Sequence, residues 1–456
     1  MLGRMRFLVW CLLALPALGE TLVIRNVTLI DATGAPARAH MNVAVSGSRI
    51  VAVGPGAALK GARVVDGTGK FLIPGLWDMH VHLWETEPMF GLYIANGVTN
   101  IRDMGSELSR TLQWKRDIAA RKRLGPRIFT SGPVIGPPIK NTGKLPRIPV
   151  STADEAGRAV DRIDDSGADF VKIVSGLSQE TYTAVAYRAR LLRIPFEGHM
   201  PDSVTLAEAI NARQRSIEHL FGLPVALSSE ESEVRTERAA AIASRDPAAM
   251  KKVREHIYST WSEAKAIELF QQAGRYGTWE CPTLTLRQRM ALLNAEKLAT
   301  DPRLKHVPKS VVKTWDDPRA ELKKAESDDL KVAAEDFQKC LQIVAWMKRA
   351  GVDVLAGTDT GDDYVLPGFA LHDELKLLVD AGLTPMEALQ SATRNAARFF
   401  KIENTAGTVE KGKTADLVLL TADPLKDIRN TGKIEAVVVG GRLLVRKDLD
   451  RLLTVQ

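Results

Sequence analysis

GLWDMHVHL, Gly75–Leu83, is an apolar run interrupted at two alternate positions by histidine. In an extended chain successive side chains point to opposite faces, so His80 and His82 share one face and their rings sit side by side. Such a pair can grip one divalent ion, and a hydrogen-bonded pair of structural histidines has the same spacing. Further ligands elsewhere in the chain would decide between the two.

Seven more runs of strand character follow: GVTNIRDMG (97–105), RIFTSGPVI (127–135), FVKIV (170–174), PFEGHM (195–200), SIEHL (216–220), WECPTL (279–284) and VDVLAGTD (352–359). Helix-like segments such as SQETYTAVAYRARLLR (178–193) and TLAEAINAR (205–213) lie between them. Eight alternating units predict an α/β fold, a (β/α)8 TIM-type barrel over 73–403, with functional residues at the carboxyl ends of the strands. Two long connections, about 221–276 and 287–350, are rich in Glu, Lys, Arg and Ala and predict helical insertions at the pocket rim. Short alternating runs occupy both ends, TLVIRNVTLIDA (21–32) and MNVAVSGSRIVAVG (41–54) before the barrel, DLVLLTADP (416–424) and IEAVVVGGRLLVRK (434–447) after it. They predict one small β-sandwich domain composed of 20–72 and 404–456.

The composition, 45% hydrophobic and 26% charged with no biased tract, excludes a disordered chain. The formal charge of +7 is spread among mixed signs rather than gathered in a stripe, which points away from a nucleic-acid partner. At the amino end Arg4 and Arg6 precede FLVWCLLALPAL (7–18), and Ala17 and Gly19 supply small residues at a cleavage site. Residues 1–19 are therefore expected to be a cleaved signal peptide and the mature protein to be exported, periplasmic or secreted. The apolar run falls short of the roughly 20 residues a bilayer span needs, so no stable membrane insertion is expected after cleavage. Cys11 would leave with the signal; Cys281 and Cys340 remain, and the spacing leaves their pairing open.

Four of the eight histidines fall near predicted strand ends: His80 and His82 on the first, His199 on the fifth and His219 on the sixth. Asp359 closes the eighth strand and Lys172 lies inside the fourth. Each alone has an ordinary structural role, but if the barrel forms, all six converge at one end of it. Neutral imidazoles and a carboxylate suit Zn²⁺ or a similar ion. An ammonium among metal ions would be repelled, so Lys172 must be neutral or converted to an anion. Asp78, Arg102 and Asp103 read as structural ion-pair residues, His372 as either pocket-lining or packing, and His40, His256 and His306 as lying outside the pattern.

Taken together, PGLWDMHVHL (74–83), GVTNIRDMG, ADFVKIV (168–174), EGH (197–199), SIEHL, GTDTG (357–361), the long helical stretch 368–400 and GTVEKGKTADLVLL (407–420) make the chain resemble the amidohydrolase superfamily. The branch it resembles is that of imidazolonepropionase-related and prolidase-like enzymes. The resemblance implies a centre of two Zn²⁺ ions: His80, His82 and Asp359 on one, His199 and His219 on the other, bridged by Lys172 as N6-carboxylysine. It also implies attack by a metal-bridging hydroxide, with Asp359 as the catalytic residue that passes a proton to the leaving nitrogen. The implied substrate is a small-molecule amide or peptide, a dipeptide or an N-acyl amino acid, and the expected assembly is a homo-oligomer. Alternatives left open are a mononuclear cyclic-amide hydrolase or deaminase and a non-catalytic binding protein on the same barrel.

Overall fold

The computed structural model describes residues 21–84, 89–140, 143–292, 298–315 and 327–454; the predicted signal peptide lies outside them. Alternation in the terminal strands builds two surfaces at once. In Leu417–Leu420 and Ile434–Val439, the side chains of Leu417, Leu419, Ala436 and Val438 enter a core with Leu22, Ile24, Val43 and Val45. Their neighbours Val418, Leu420 and Val437 point the other way, into the main core of the molecule.

These strands belong to one eight-stranded mixed sheet, in which Leu417–Leu420 pairs antiparallel with Phe71–Pro74, and Thr28 and Leu29 of the first strand, Thr21–Leu29, pair parallel with Phe71 and Leu72. The strands of the two termini share one continuous ladder, because the Phe71–Pro74 strand hydrogen-bonds to chain from both ends of the sequence.

The middle of the chain forms two parallel sheets, one of Leu76–Val81, Val98–Asp103 and Arg127–Thr130, the other of six short strands from Val134–Gly136 to Trp279–Cys281. Two expectations need correction. RIFTSGPVI is two strands, Arg127–Thr130 and Val134–Gly136, broken where Gly132 takes φ +64° and Pro133 follows. VDVLAGTD forms no regular ladder: Val354 makes a single bridge to Glu280, and Thr360, the residue after the segment, one to Val81. Its amides still bond to both neighbours: Leu355 N–H donates to the Glu280 carbonyl and Asp359 N–H to that of His80.

Helices separate the strands and start where short polar side chains cap them. Thr152 with Glu155 opens Ala153–Asp165, and Thr205 with Glu208 opens Leu206–Asn211, both as reciprocal capping boxes. The first long connection holds the helices Leu223–Ala226, Glu231–Ser244, Pro247–Ser259 and Glu263–Tyr276. The second includes Leu284–Leu292 and Ser327–Arg349. No helix among the described residues is long and apolar enough to cross a membrane.

Within the parallel strands, alternation separates an apolar outer face from a charged inner one. Ile101, Val171, Ile173, Phe196 and Ile217 join the main apolar core, whereas Arg102, Lys172, Glu197, Ser216 and Glu218, all buried, meet one another. At the other end of this interior, Trp77, Phe129 and Phe400 stack, with Phe129 and Phe400 centroids 3.9 Å apart, and Phe399 meets Phe400 edge-on.

Candidate metal centre

His80 and His82 lie at the carboxyl end of Leu76–Val81, and Asp359 ends the segment beside it, so backbone pairing brings the three together. Asp359 Oδ1 stands 3.2 Å from His80 Nε2 and 3.2 Å from His82 Nε2. The other nitrogen of each ring is tied back. His80 Nδ1 donates to Glu218 Oε2 at 2.7 Å, and His82 Nδ1 to the Gly105 carbonyl at 3.1 Å. Each Nε2 is then a lone pair aimed at a carboxylate oxygen, and His80 Nε2 and Asp359 Oδ1 are buried without a hydrogen-bond partner. Three acceptors facing one point is an unfavourable arrangement that a cation relieves.

His219 adjoins this group. Its ring centroid is 4.5 Å from that of His80, its Nδ1 is 3.9 Å from Asp359 Oδ2, and the same nitrogen bonds Thr283 Oγ1 at 2.7 Å. The His199 ring is 5.1 Å from the His219 ring, and Ser175 donates to its Nδ1 from N–H and Oγ. Lys172 is 1% exposed and its Nζ has no hydrogen-bond partner. The structure thus brings together all six residues singled out from the sequence.

Burial sets the protonation states. It lowers His80 to about 4 and, with Lys172 nearby, holds His199 well below the ordinary imidazole value. Burial likewise pulls Lys172 down to about 8, partly opposed by Glu218 and Asp359. It would raise Asp359, but His219, His80 and His82 hold that carboxyl well below its usual range. His80, His199 and His219 are thereby held neutral beside an ionised carboxylate, which is the protonation a divalent ion requires of them.

In the layer beneath, Arg102 makes the ion pair expected of it, with acids that sequence reading did not single out. Arg102 is fully buried; its Nη2 donates to both oxygens of Glu218 at 2.9 Å, its Nη1 to Glu197 Oε2 at 2.8 Å and to Ser216 Oγ at 2.9 Å. Glu218 therefore joins Arg102 to His80. Against burial, Arg102 and His80 hold its carboxyl well below the ordinary value. The signal available was the acid in EGH and IEH, one or two residues before each histidine. At His219 and Leu220 φ turns positive, 62° and 58°, which ends the strand and lets Glu218 and His219 serve one site despite being adjacent.

Two expected ion pairs are absent. Asp78 accepts from Thr358 Oγ1 and N–H and is pushed up to about 7 by burial, and Asp103 accepts from Ser106, Thr130 and Leu83 N–H. Asp78 sits within the strand Leu76–Val81 and Asp103 ends Val98–Asp103, and both carboxyls are held by hydrogen bonds rather than by a cation. His372 bonds Thr431 rather than the site, and Cys281 and Cys340 are free thiols.

Comparison with known proteins agrees with this arrangement. Residues 71–444 match the model of the Amidohydrolase family. An adenine deaminase of Clostridium botulinum (strain Loch Maree / Type A3) is 32% identical over 93 residues, 20% of this chain and only 14% of that protein's length. A Xaa-Pro dipeptidase crystallised with methionine in its active site superposes with TM-score 0.68 at 20% identity, covering 93% of this chain and 100% of that one. Bottromycin amidohydrolase gives 0.72 at 22%, covering 95% and 88%. The two superpositions concern the fold and the deaminase match is local, whereas the family model spans most of the sequence: the chain belongs to the Amidohydrolase family.

Proposed function

We propose that the protein is an exported, metal-dependent hydrolase of carbon–nitrogen bonds, acting on a small amide or peptide with a free carboxylate. The observation that carries the metal reading is the convergence of His80 Nε2 and His82 Nε2 on one Asp359 oxygen, 3.2 Å from each, with His80 Nε2 and that oxygen buried and lacking a hydrogen-bond partner. In this reading the bridges at Val354 and Thr360 close the parallel strands into a (β/α)8 ring.

His80, His82 and Asp359 would hold one Zn²⁺, His199 and His219 a second, with Lys172 between them. Bound ions of this kind polarise a carbonyl oxygen and lower the pKa of water. Lys172 suits carboxylation, in which its neutral amine adds to CO₂ and releases one proton, because burial weakens the ammonium and no group bonds Nζ. Asp359 would take a proton from the attacking water and deliver it to the leaving nitrogen.

Arg287 supports the choice of an anionic substrate. Its guanidinium covers the Phe221 ring at 4.7 Å, that ring touches His199 and His219, and it donates to the His219 carbonyl. It makes no ion pair among the described residues. A dipeptide or N-acyl amino acid would supply the carboxylate. The structural neighbour named as a Xaa-Pro dipeptidase favours the peptide, and the deaminase relatives favour a second reading, a mononuclear site acting on a cyclic amidine.

The test is a screen of protein prepared with Zn²⁺ and bicarbonate against dipeptides, N-acyl amino acids and adenine, with elemental analysis of the same sample. Two ions per chain with dipeptide or N-acyl turnover that a chelator abolishes is the expected result. One ion with ammonia release from adenine would replace this reading with the second. Amino-terminal sequencing of the mature protein tests export, with Glu20 the expected first residue.

A further inference from the structure

A cleft of about 700 Å³ lies at the opposite end of the parallel strands from the metal centre. One wall is the loop that carries Arg121 and Arg127 into the strand Arg127–Thr130; the other consists of two hairpin turns of the terminal sheet, carrying Arg49 and Arg442. Thr99, on its floor, is the second residue of the strand Val98–Asp103, whose end lies four residues or about 13 Å nearer the histidines.

The charge in this cleft is unbalanced. Arg49 and Arg121 donate to the carbonyls of Gly412 and Gly440, and none of Arg49, Arg121, Arg127 and Arg442 makes an ion pair among the described residues. Lys115 is already neutralised by Asp169. The one lining carboxyl, Asp416, accepts from Gly440 N–H and faces Arg127; burial raises its pKa and both of these contacts oppose the rise. With Arg123, five guanidiniums and one carboxyl line this open cleft, so it carries a net positive charge that a bound anion would offset.

The walls are also fixed in place. Gly441 has φ +81°, and a Cβ there would stand 1.6 Å from the Gly47 carbonyl oxygen, so the two hairpin turns interlock and no larger residue fits. The floor between the arginines is apolar: Ile118, Ile128 and Val439 line it. The volume is that of an ordinary small-molecule site.

We infer that this cleft is a second ligand site, remote from the metal centre, for an organic phosphate: a phosphate group held by guanidiniums, with an apolar or aromatic body on the Ile118–Val439 floor. Arginine's planar donors match phosphate oxygens two at a time, which the exposed lysines of a general basic surface would not. Because the ligand would contact both the barrel loop and the terminal sheet, binding would also raise the melting temperature.

The experiment is calorimetric titration of the metal-loaded protein with phenyl phosphate, phenol and inorganic phosphate, repeated with Arg121→Gln/Arg127→Gln and with Arg49→Gln/Arg442→Gln. Each pair removes one wall's exposed side chains, and metal content and melting temperature without ligand report that the variants are folded. We expect phenyl phosphate to bind with a Kd below about 1 mM and each pair of substitutions to weaken it at least about tenfold with metal content unchanged. Phenol should not bind measurably, and inorganic phosphate should bind more weakly. No phenyl phosphate binding by the parent protein would overturn the inference. So would an affinity unchanged in both variants, which would place the ligand at the metal centre, or equal affinity for inorganic phosphate, which would remove the apolar half of the site.

Discussion

Replacing Glu218 by glutamine separates two roles that the structure gives to one carboxylate. Glu218 accepts from His80 Nδ1 at 2.7 Å and from Arg102 Nη2 at 2.9 Å, and both bonds are fully buried. The amide is nearly isosteric, but one of its two ends is a donor. Either His80 or Arg102 must then face N–H against N–H. Loss of a carboxylate behind a metal-binding imidazole typically weakens the metal about 10- to 100-fold, or about 1.4 to 2.7 kcal/mol. Breaking a buried ion pair by removing one partner costs about 3 to 5 kcal/mol, and the lower end applies because Arg102 keeps Glu197 at 2.8 Å. Metal affinity is measured by competition with a chromophoric chelator, and stability by denaturant unfolding of the metal-free protein. Glu197→Gln is the control: it takes a carboxylate from Arg102 without touching His80, so it should destabilise comparably and leave metal affinity within about twofold. If Glu218→Gln destabilised the protein yet bound metal as the parent does, Glu218 would be a counter-ion to Arg102 only. The account of how His80 is oriented would then be wrong.

Asp359→Asn should keep its metals and lose about 10² to 10⁴ in amide turnover, with an activated ester less affected; loss explained wholly by missing metal would make Asp359 a ligand only. Lys172→Ala should lose metal and activity, partly restored by a short carboxylic acid, and Lys172→Arg should fail because guanidinium cannot be carboxylated; wild-type turnover by the latter would refute the bridging role. Arg287→Met should lower kcat/KM about 10- to 100-fold for substrates with a free carboxylate, and much less for the same substrates with that group amidated. His256, paired with Glu237 at 2.7 Å and Glu230 at 2.9 Å, has its pKa raised by these hydrogen bonds. Its contribution to stability should be complete below the ordinary value of 6.5 and be lost as pH rises through the folded value; an NMR titration midpoint at or below 6.5 would contradict this.

The sequence by itself determined which residues face inward. A two-residue period is a local property of extended backbone, so HxH in GLWDMHVHL and the lone lysine between Val171 and Ile173 were legible before any folding was considered, whereas the acids of EGH and SIEHL were not singled out. The recurrence of those runs between helical segments was legible for the same reason. Tertiary structure decided what the inward residues meet. Arg102 bonds partners 95 and 116 residues away, and Asp359 reaches histidines of the first inner strand only through backbone bonds of a segment that makes no regular ladder. The continuity of the terminal sheet likewise depends on Phe71–Pro74 pairing with a strand near the other end of the chain. Nor could spacing show which imidazole nitrogen is tied back, because that depends on Glu218 and Gly105 arriving from other strands and turns. Periodicity assigns each side chain to a face; the burial and charge that act on it there come from residues distant in sequence, and only packing brings them within reach.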